Sequence, residues 1–372
     1  MARNILITGG AGFIGSHLSD ELLEAGHRVR ALDSMIPQVH GPAATRPAHL
    51  APEVELLRGD VRDAAAVRRA LDGVDAVFHL ASMVGVGQSM FQIDDYVGVN
   101  DLGTAVLLQA LSERPVERLV VASSMSVYGE GLYQDGEGRP VSDADRAADG
   151  LRDARWEMVG RDGRPLTPLP TPEWKPPALA SVYALNKFAQ ERMCLLIGAA
   201  YGIGTTALRF FNVYGPRQAL SNPYTGVLAI FGARLLNGRP PLLFEDGGQR
   251  RDFVHVKDVA RACRMAMDSP AAPGRVFNVA SGHSLTIAEL AARLSHAMAL
   301  SIEPEITGRF RVGDIRHCFA DIGAARRDLG FEPKVALDDG GLAGQPLDQL
   351  DQAVVDHVER MTSELASRGL VA

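Results

Sequence analysis

Asn4-Ile5-Leu6-Ile7-Thr8-Gly9-Gly10-Ala11-Gly12-Phe13-Ile14-Gly15-Ser16-His17-Leu18 decides the fold. An apolar run from Ile5 to Ile7 stops at a glycine cluster, and a helical pattern begins at once. Short apolar runs bounded by glycine read as buried parallel strands. The stretch therefore predicts a strand turning tightly into a helix over residues 16–25. Gly9, Gly12 and Gly15 are spaced so that the backbone can turn, approach a pyrophosphate closely and pack helix on strand. The free N–H groups and positive dipole end of such a helix face the anion. Glycine spacing alone also fits an ordinary strand–loop–helix connection; the flanking strand and helix favour the dinucleotide reading.

The next strand, residues 27–33, ends in Asp33. An acidic residue about 20 positions past the glycines accepts the ribose hydroxyls of NAD. A carboxylate there repels the extra phosphate of NADP, and no arginine follows directly to welcome it. Residues 36–52 carry several prolines and read as a surface loop. Further strands are expected at 54–61, 74–81 and 119–124, with a long amphipathic helix at 95–113 that contains Asn100. Strands alternating with helices at this pace give an α/β fold, a doubly wound parallel (Rossmann) sheet with right-handed crossovers. Ligands bind such sheets outside the carboxyl ends of the strands. Asp33, Asp60 with Val61, and Ser123-Ser124 all fall on that edge, Asp60 and Val61 near the adenine.

At 372 residues the chain has room for that sheet and a smaller second α/β lobe. Apolar residues make up 46% and charged ones 22%, ordinary for a soluble protein. A net charge of -7 argues against nucleic-acid binding, which needs a basic stripe. Cys194, Cys263 and Cys318 are scattered, which argues against a disulfide framework or a metal site and fits a reducing cytoplasm. No apolar run is long enough for a membrane span.

From 133 to 180 the alternation breaks into Gly, Asp, Arg and Pro-rich sequence, read as a long excursion over the surface or near the site. Tyr133, Trp156 and Trp174 are its expected anchors. The helix that begins near Ser181 carries Tyr183 and Lys187, one turn apart on one face. A strand at 205–213, a helix around 227–236, short strands near 241–244 and 276–280, a helix at 286–298 opened by Thr286 and Glu289 at capping-box spacing, a helix starting at 321–329 and an amphipathic tail helix at 347–365 complete the pattern.

Across nearly its whole length the chain resembles the extended short-chain dehydrogenase/reductase family of nucleotide-sugar enzymes. The motifs that carry the resemblance are Thr8-Gly9-Gly10-Ala11-Gly12-Phe13-Ile14-Gly15, His79-Leu80-Ala81, Ser123-Ser124-Met125-Ser126-Val127-Tyr128-Gly129, Tyr183-Ala184-Leu185-Asn186-Lys187, Arg209-Phe210-Phe211-Asn212-Val213-Tyr214-Gly215-Pro216-Arg217 and Arg251-Asp252-Phe253-Val254-His255-Val256. The resemblance implies a catalytic Ser124, Tyr183 and Lys187. An ordinary tyrosine titrates near pH 10. A neighbouring ammonium and a positive nicotinamide favour the phenolate, so that Tyr183 can take a proton from a sugar hydroxyl. Ser124 would hydrogen-bond that oxygen, and Lys187 would hold the nicotinamide ribose. The resemblance adds Phe13, Ile14, Leu80, Ala81 and Asn100 to the cofactor site. It places Asn212 and Arg251 on the substrate diphosphate, with Arg217, Arg311 and Asp314 around the nucleotide and Val84, Ser126 and Val227 as further substrate contacts. Arginine suits such a role because its planar fork matches phosphate oxygens.

Dehydratases of this family place an Asp–Glu pair after the residue matching Ser124, and its decarboxylases a carboxylate; here Met125 and Ser126 follow. Hydride then returns to the carbon it left, and the implied reaction is 4-epimerisation through a 4-keto sugar, with tightly bound NAD regenerated each cycle. The residue matching the pocket gate of UDP-galactose 4-epimerases is the small Cys318. The run 84–90, the 133–180 insertion and residues 222–226 are most similar to dTDP-L-rhamnose 4-epimerases, which make dTDP-6-deoxy-L-talose; Met83, Val84 and Val86 suit a 6-deoxy sugar. UDP-glucose or UDP-N-acetylglucosamine 4-epimerisation is the alternative. A one-way 4-ketoreductase would need exchangeable NADPH, against which Asp33 counts, and a non-catalytic NAD sensor would not need the triad. The implied domains are an NAD-binding Rossmann domain at 1–215 and 254–282, and a nucleotide-sugar-binding domain at 216–253 and 283–372. The expected partners are a nucleotide-diphosphate sugar and a second copy of the chain, paired through the helices carrying Tyr183 and Asn100, with no metal, nucleic acid or membrane.

Overall fold

Seven strands form one parallel sheet: β1 (Asn4–Thr8), β2 (Arg28–Asp33), β3 (Glu55–Arg58), β4 (Ala76–His79), β5 (Arg118–Ser124), β6 (Gly204–Phe210) and β7 (Val276–Val279). Their order, β3-β2-β1-β4-β5-β6-β7, reverses direction between β1 and β4, the switch point at which doubly wound sheets bind ligands. The computed structural model describes residues 2–146, 148–218, 226–310 and 314–337. Arg311, residues 222–225 and the predicted helix at 347–365 lie outside them.

Alternation along β1 shows how the sheet is buried on both faces. Ile5 and Ile7 join Leu18 and Leu22 of α1 (Phe13–Glu24) on one side, whereas Leu6 joins Val67 of α2 (Ala64–Ala70), Leu107 of α3 (Gly103–Glu113) and Cys194 of α4 (Val182–Tyr201) on the other. The first layer also includes Val259, Ala262 and Cys263 of α5 (Val256–Asp268), a helix the sequence reading did not foresee. Its opening is visible locally: His255 caps it through a hydrogen bond from Lys257 N to His255 Nδ1.

The expected helix over 95–113 forms, running without interruption from Ile93 to Glu113 with a π-helical turn at Val97–Leu102 set between the turn Ile93–Tyr96 and α3. Two features coincide with that turn. Gly103 packs so closely that a Cβ there would lie 2.6 Å from Val61 Cγ2, and Asn100 turns its carboxamide into the loop after β4. The expected strand at 205–213 is two strands: β6 ends at Phe210, and Asn212–Tyr214 leaves to pair in parallel with Arg250–His255.

Arg250–His255 is the centre of the second layer, paired antiparallel with Ser284–Thr286 and in parallel with His317–Cys318. Its core joins Phe253, Leu228, Phe231 and Leu235 of the helix Val227–Leu236 to Leu290 and Leu294 of the helix Ile287–Ala297. Thr286 and Glu289 form the expected capping box. The stretch expected to continue from 321 as a helix is helical from Ala325 to Leu329 as a single π-helical turn.

The 133–180 excursion is ordered where it is described. Leu132–Gln134 lies between Pro140–Val141 and Thr167–Leu169 in an antiparallel sheet. Tyr133, Met158 and Leu166 form its small core. Trp156 meets Phe310 edge-on-tilted at 6.3 Å between ring centres. Trp174 is no anchor: it is 64% exposed. The neighbouring Lys175 is instead buried, its ammonium donating to the Tyr128 carbonyl.

Candidate active site

The glycine loop leaves a cradle at the switch point. Gly9 adopts φ +72°, and a Cβ there would stand 2.9 Å from Ala81 N; Gly15 admits no side chain against Gly9 and Gly10. Gly12 faces open space apart from Gly9 O, and it caps α1 without any side-chain hydrogen bond. The first N–H groups of α1, at Phe13, Ile14 and Gly15, are thus left for an anion. Leu80 N and Ala81 N bond to Thr8 O and Thr8 Oγ1, which fixes the end of β4 beside the loop.

Asp33 is buried at the end of β2. Its carboxylate accepts Ala11 N (3.0 Å) and Met35 N (2.9 Å), with His40 Nε2 3.4 Å away. It therefore clamps the glycine loop as well as presenting an acceptor. Asp60 forms a fork with Arg62, which holds its carboxyl below the usual range, and Val61 is buried. Asn100 is buried beneath the loop that follows β4. Its carboxamide accepts Ser82 Oγ and Met83 N and donates to Met83 O, so it shapes the loop above the cradle.

Ser124 ends β5 and caps the turn Met125–Tyr128; its hydroxyl accepts Ser126 N and lies 3.1 Å from Ser126 Oγ. The Tyr183 phenol faces Ser124 closely enough for that hydroxyl to ease its ionisation, and the Tyr183 ring meets Tyr96 edge-on at 6.5 Å. Burial, the larger effect, raises the phenol above its ordinary value, and the Ser124 hydrogen bond offsets part of that rise. Lys187 is itself buried, its ammonium pushed down to about 8 by desolvation, and it donates to Gln190 Oε1 at 2.9 Å. Val84, half exposed beside the site, is held by Tyr96, whose hydroxyl donates to the Val84 carbonyl.

Asn212 Oδ1 is buried without a hydrogen-bond partner among the described residues. Arg251 and Asp314 come together at 3.7 Å, but the guanidinium also donates to the carbonyls of Arg250, Ile315 and Arg316 and is folded onto that segment. Arg217, at φ +68°, is engaged with Asp20 of α1 at 2.7 Å, apart from the Arg251–Asp314 pair. Val227 opens its helix and packs into the second core. Buried residues that the sequence reading passed over support the triad. Glu191 accepts Ser123 Oγ and both Nε and Nη2 of Arg209; Gln190, Thr104 and His79 line up behind Lys187. Their signal was available, since Gln190 lies one helical turn past Lys187 on the same face. Among the described residues there is no cluster able to hold a metal ion and no helix long and apolar enough to cross a membrane.

Residues 5–146 and 157–280 match the model of the NAD dependent epimerase/dehydratase family. The chain is 35% identical over 343 residues to a dTDP-L-rhamnose 4-epimerase of Burkholderia thailandensis, covering 91% of this chain and 93% of that one. The solved UDP-glucose 4-epimerase of Thermotoga maritima, with UDP-glucose, superposes with a TM-score of 0.73 at 29% identity, covering 97% and 99% of the two chains. That of Thermus thermophilus, in complex with NAD, superposes with a TM-score of 0.70 at 30% identity, covering 96% and 99%.

Proposed function

Because the chain belongs to the NAD dependent epimerase/dehydratase family, we propose that it is an NAD-dependent nucleotide-sugar 4-epimerase that inverts C4 of a dTDP-6-deoxyhexose, interconverting dTDP-L-rhamnose and dTDP-6-deoxy-L-talose. The observation that carries the class is Tyr183 of α4 facing Ser124 at the end of β5, on the same sheet edge as the glycine loop, with Met125 and Ser126 where a dehydratase needs acids. The cradle, the uncapped α1 and Asp33 fit NAD: the N–H groups of Phe13, Ile14 and Gly15 for the pyrophosphate and Asp33 for the ribose, with Asp60, Val61, Leu80 and Ala81 around it. Bound there, NAD would supply a reversible hydride acceptor for the sugar carbon.

The residues do the rest. Tyr183, as phenolate, takes the proton of the sugar 4-hydroxyl and later returns it; the Ser124 hydroxyl orients that oxygen in both directions. Since burial raises the phenol, the reaction needs positive charge beside it, which Lys187 and a bound NAD would supply. Arg251, Asp314, Asn212 and Arg217, with Arg311, Val227, Ser126 and Val84, are the proposed substrate contacts. The layer built on Arg250–His255 is the proposed nucleotide-sugar lobe, and the sheet with its helices the NAD domain. The dTDP-L-rhamnose reading is supported by the relative at 35% identity and by the apolar Val84 and Val86 beside the site. UDP-glucose or UDP-N-acetylglucosamine epimerisation is the second reading, favoured by the structural likeness to UDP-glucose 4-epimerases. Val97, Leu102, Leu185 and Leu196 lie exposed on the helices around Asn100 and Tyr183, which supports a homodimer, testable by light scattering.

The test is a panel of dTDP-, UDP- and GDP-sugars followed by NMR without added NAD. Conversion of dTDP-L-rhamnose alone is expected; conversion of UDP-glucose alone overturns the dTDP assignment, and release of a keto sugar overturns epimerisation. Tyr183→Phe is expected to abolish turnover with NAD retained in the protein, and full activity in that variant rejects the mechanism.

A further inference from the structure

Among the described residues the Lys187 ammonium makes one hydrogen bond, to Gln190 Oε1 at 2.9 Å. Gln190 Nε2 donates to Thr104 Oγ1 at 2.8 Å, and His79 Nε2 lies 2.9 Å from the same hydroxyl. Thr104 donates its own proton one turn back, to the Asn100 carbonyl. At the far end Ala81 N donates to Thr8 Oγ1, and Thr8 lies 2.8 Å from His79 Nδ1. Thr8, His79, Thr104, Lys187 and Gln190 are all buried.

Gln190 Nε2 also lies 3.4 Å from His79 Nε2; the shorter contacts favour one arrangement of protons. Thr104 has spent its hydrogen on Asn100, so His79 must donate through Nε2 and accept from Thr8 at Nδ1. Burial keeps this imidazole neutral, its pKa pushed down to about 3. Gln190 likewise must turn its NH2 to Thr104, leaving its oxygen for the ammonium. A flipped carboxamide would place NH2 against NH3⁺ and leave the ammonium without an acceptor.

We propose that Gln190 is the positioning residue for Lys187, a carboxamide locked by Thr104 and His79 that holds the ammonium on the Tyr183 face of α4 without cancelling its charge. The other groups facing Lys187 leave that charge intact. Glu191 is bound to Arg209 and Ser123, the Cys194 thiol is pushed up to about 12 by burial, and His79 is neutral. Tyr183 itself faces Ser124 from β5 and the Tyr96 ring. A glutamate at 190 would neutralise the ammonium and weaken its pull on the phenol.

The inference rests on Tyr183 being the base, and the test separates the two. In NAD-loaded protein, the near-ultraviolet absorbance of tyrosinate is followed against pH for the wild type, Tyr183→Phe, Gln190→Glu, Thr104→Val and Thr104→Ser. The difference between wild type and Tyr183→Phe isolates the Tyr183 titration; if no such titration is lost, the base reading fails. Gln190→Glu is expected to move it up by roughly one pH unit. Thr104→Val, which keeps the volume and frees the carboxamide to flip, moves it upward too, and Thr104→Ser restores the wild-type position. A merely structural role predicts the opposite order, with the valine silent and the smaller serine worse. Should Tyr183 titrate and yet keep its position in both Gln190→Glu and Thr104→Val, the role of Gln190 is overturned while that of Tyr183 stands; should Gln190→Glu not fold, the threonine pair decides alone.

Discussion

Tyr183 and Ser124 meet in a site dry enough that the phenol is harder to ionise than in water, and the serine hydroxyl offsets only part of the difference. In the proposed reaction that hydroxyl has two tasks, lowering the phenol and holding the sugar oxygen whose charge changes as the C4 hydrogen leaves. Both tasks belong to the transition state more than to substrate binding. Ser124→Ala is therefore expected to lower kcat roughly 10²–10³-fold, with KM changing much less. Steady-state kinetics on the converted sugar checks this, and a kcat close to wild type removes Ser124 from the mechanism. Individual side chains were largely legible in the sequence because motif spacing placed them: Asp33 at the end of β2, Ser124 at the end of β5, and Tyr183 with Lys187 on α4. Side chains with two possible partners were not. Asn100 bonds the loop at Ser82 and Met83 and Arg217 pairs with Asp20, protein partners that motif spacing does not reveal.

At the scale of an element, α4 is fixed to the sheet by a buried ion pair. Glu191 holds the guanidinium of Arg209 on β6 at 2.7 and 2.9 Å, takes a third hydrogen bond from Ser123 on β5, and Arg209 stacks over the Tyr128 ring at 4.7 Å. Both side chains of the pair are buried. Removing one partner of such a pair strands the other charge away from water, which typically costs about 3–5 kcal/mol. Glu191→Ala should lose stability on that order, read as a fall in the urea midpoint, and should misplace Lys187 and Tyr183 on the same helix. A variant as stable as wild type would show that the helix is held by its apolar face alone. Strands and helices with a clean period were read correctly from sequence, β1 and α1 above all. The helix over 95–113 was read too, but not the π-helical turn inside it, since the contacts made there, Val61 against Gly103 and Asn100 against the loop at Met83, involve partners outside the segment.

Across the whole molecule, the excursion after β5 is tied to the second layer by charges far apart in sequence, which is why composition marked it only as a surface segment. Arg316, 1% exposed, donates to Glu157, Glu245 and Asp246; Arg146 pairs with Glu245 at 2.6 Å, and Glu130 accepts the backbone N–H groups of Arg316 and His317. Glu157 is the member that comes from the excursion and remains half exposed, bonded to His317 Nε2 at 2.9 Å and to Arg316. Chiefly through His317, and then Arg316, its carboxyl is lowered to about 2. The sign follows from linkage: a carboxyl depressed in the folded state adds stability that is complete above its unfolded value, near 4.5, and is lost as pH falls towards 2. Because Glu157 is half exposed, solvent screens part of this contribution, and the effect belongs to the docking of the excursion more than to the whole fold. Protection of the amides in 132–134 and 157–169 against hydrogen exchange, taken relative to the intrinsic rate at each pH, is therefore expected to fall on acidification through this window before that of β5. In Glu157→Gln the same amides should exchange faster at neutral pH and lose the acid dependence. Equal exchange in the two proteins at every pH would mean that the small apolar core of Tyr133, Met158 and Leu166 docks the excursion without help from the ion pairs.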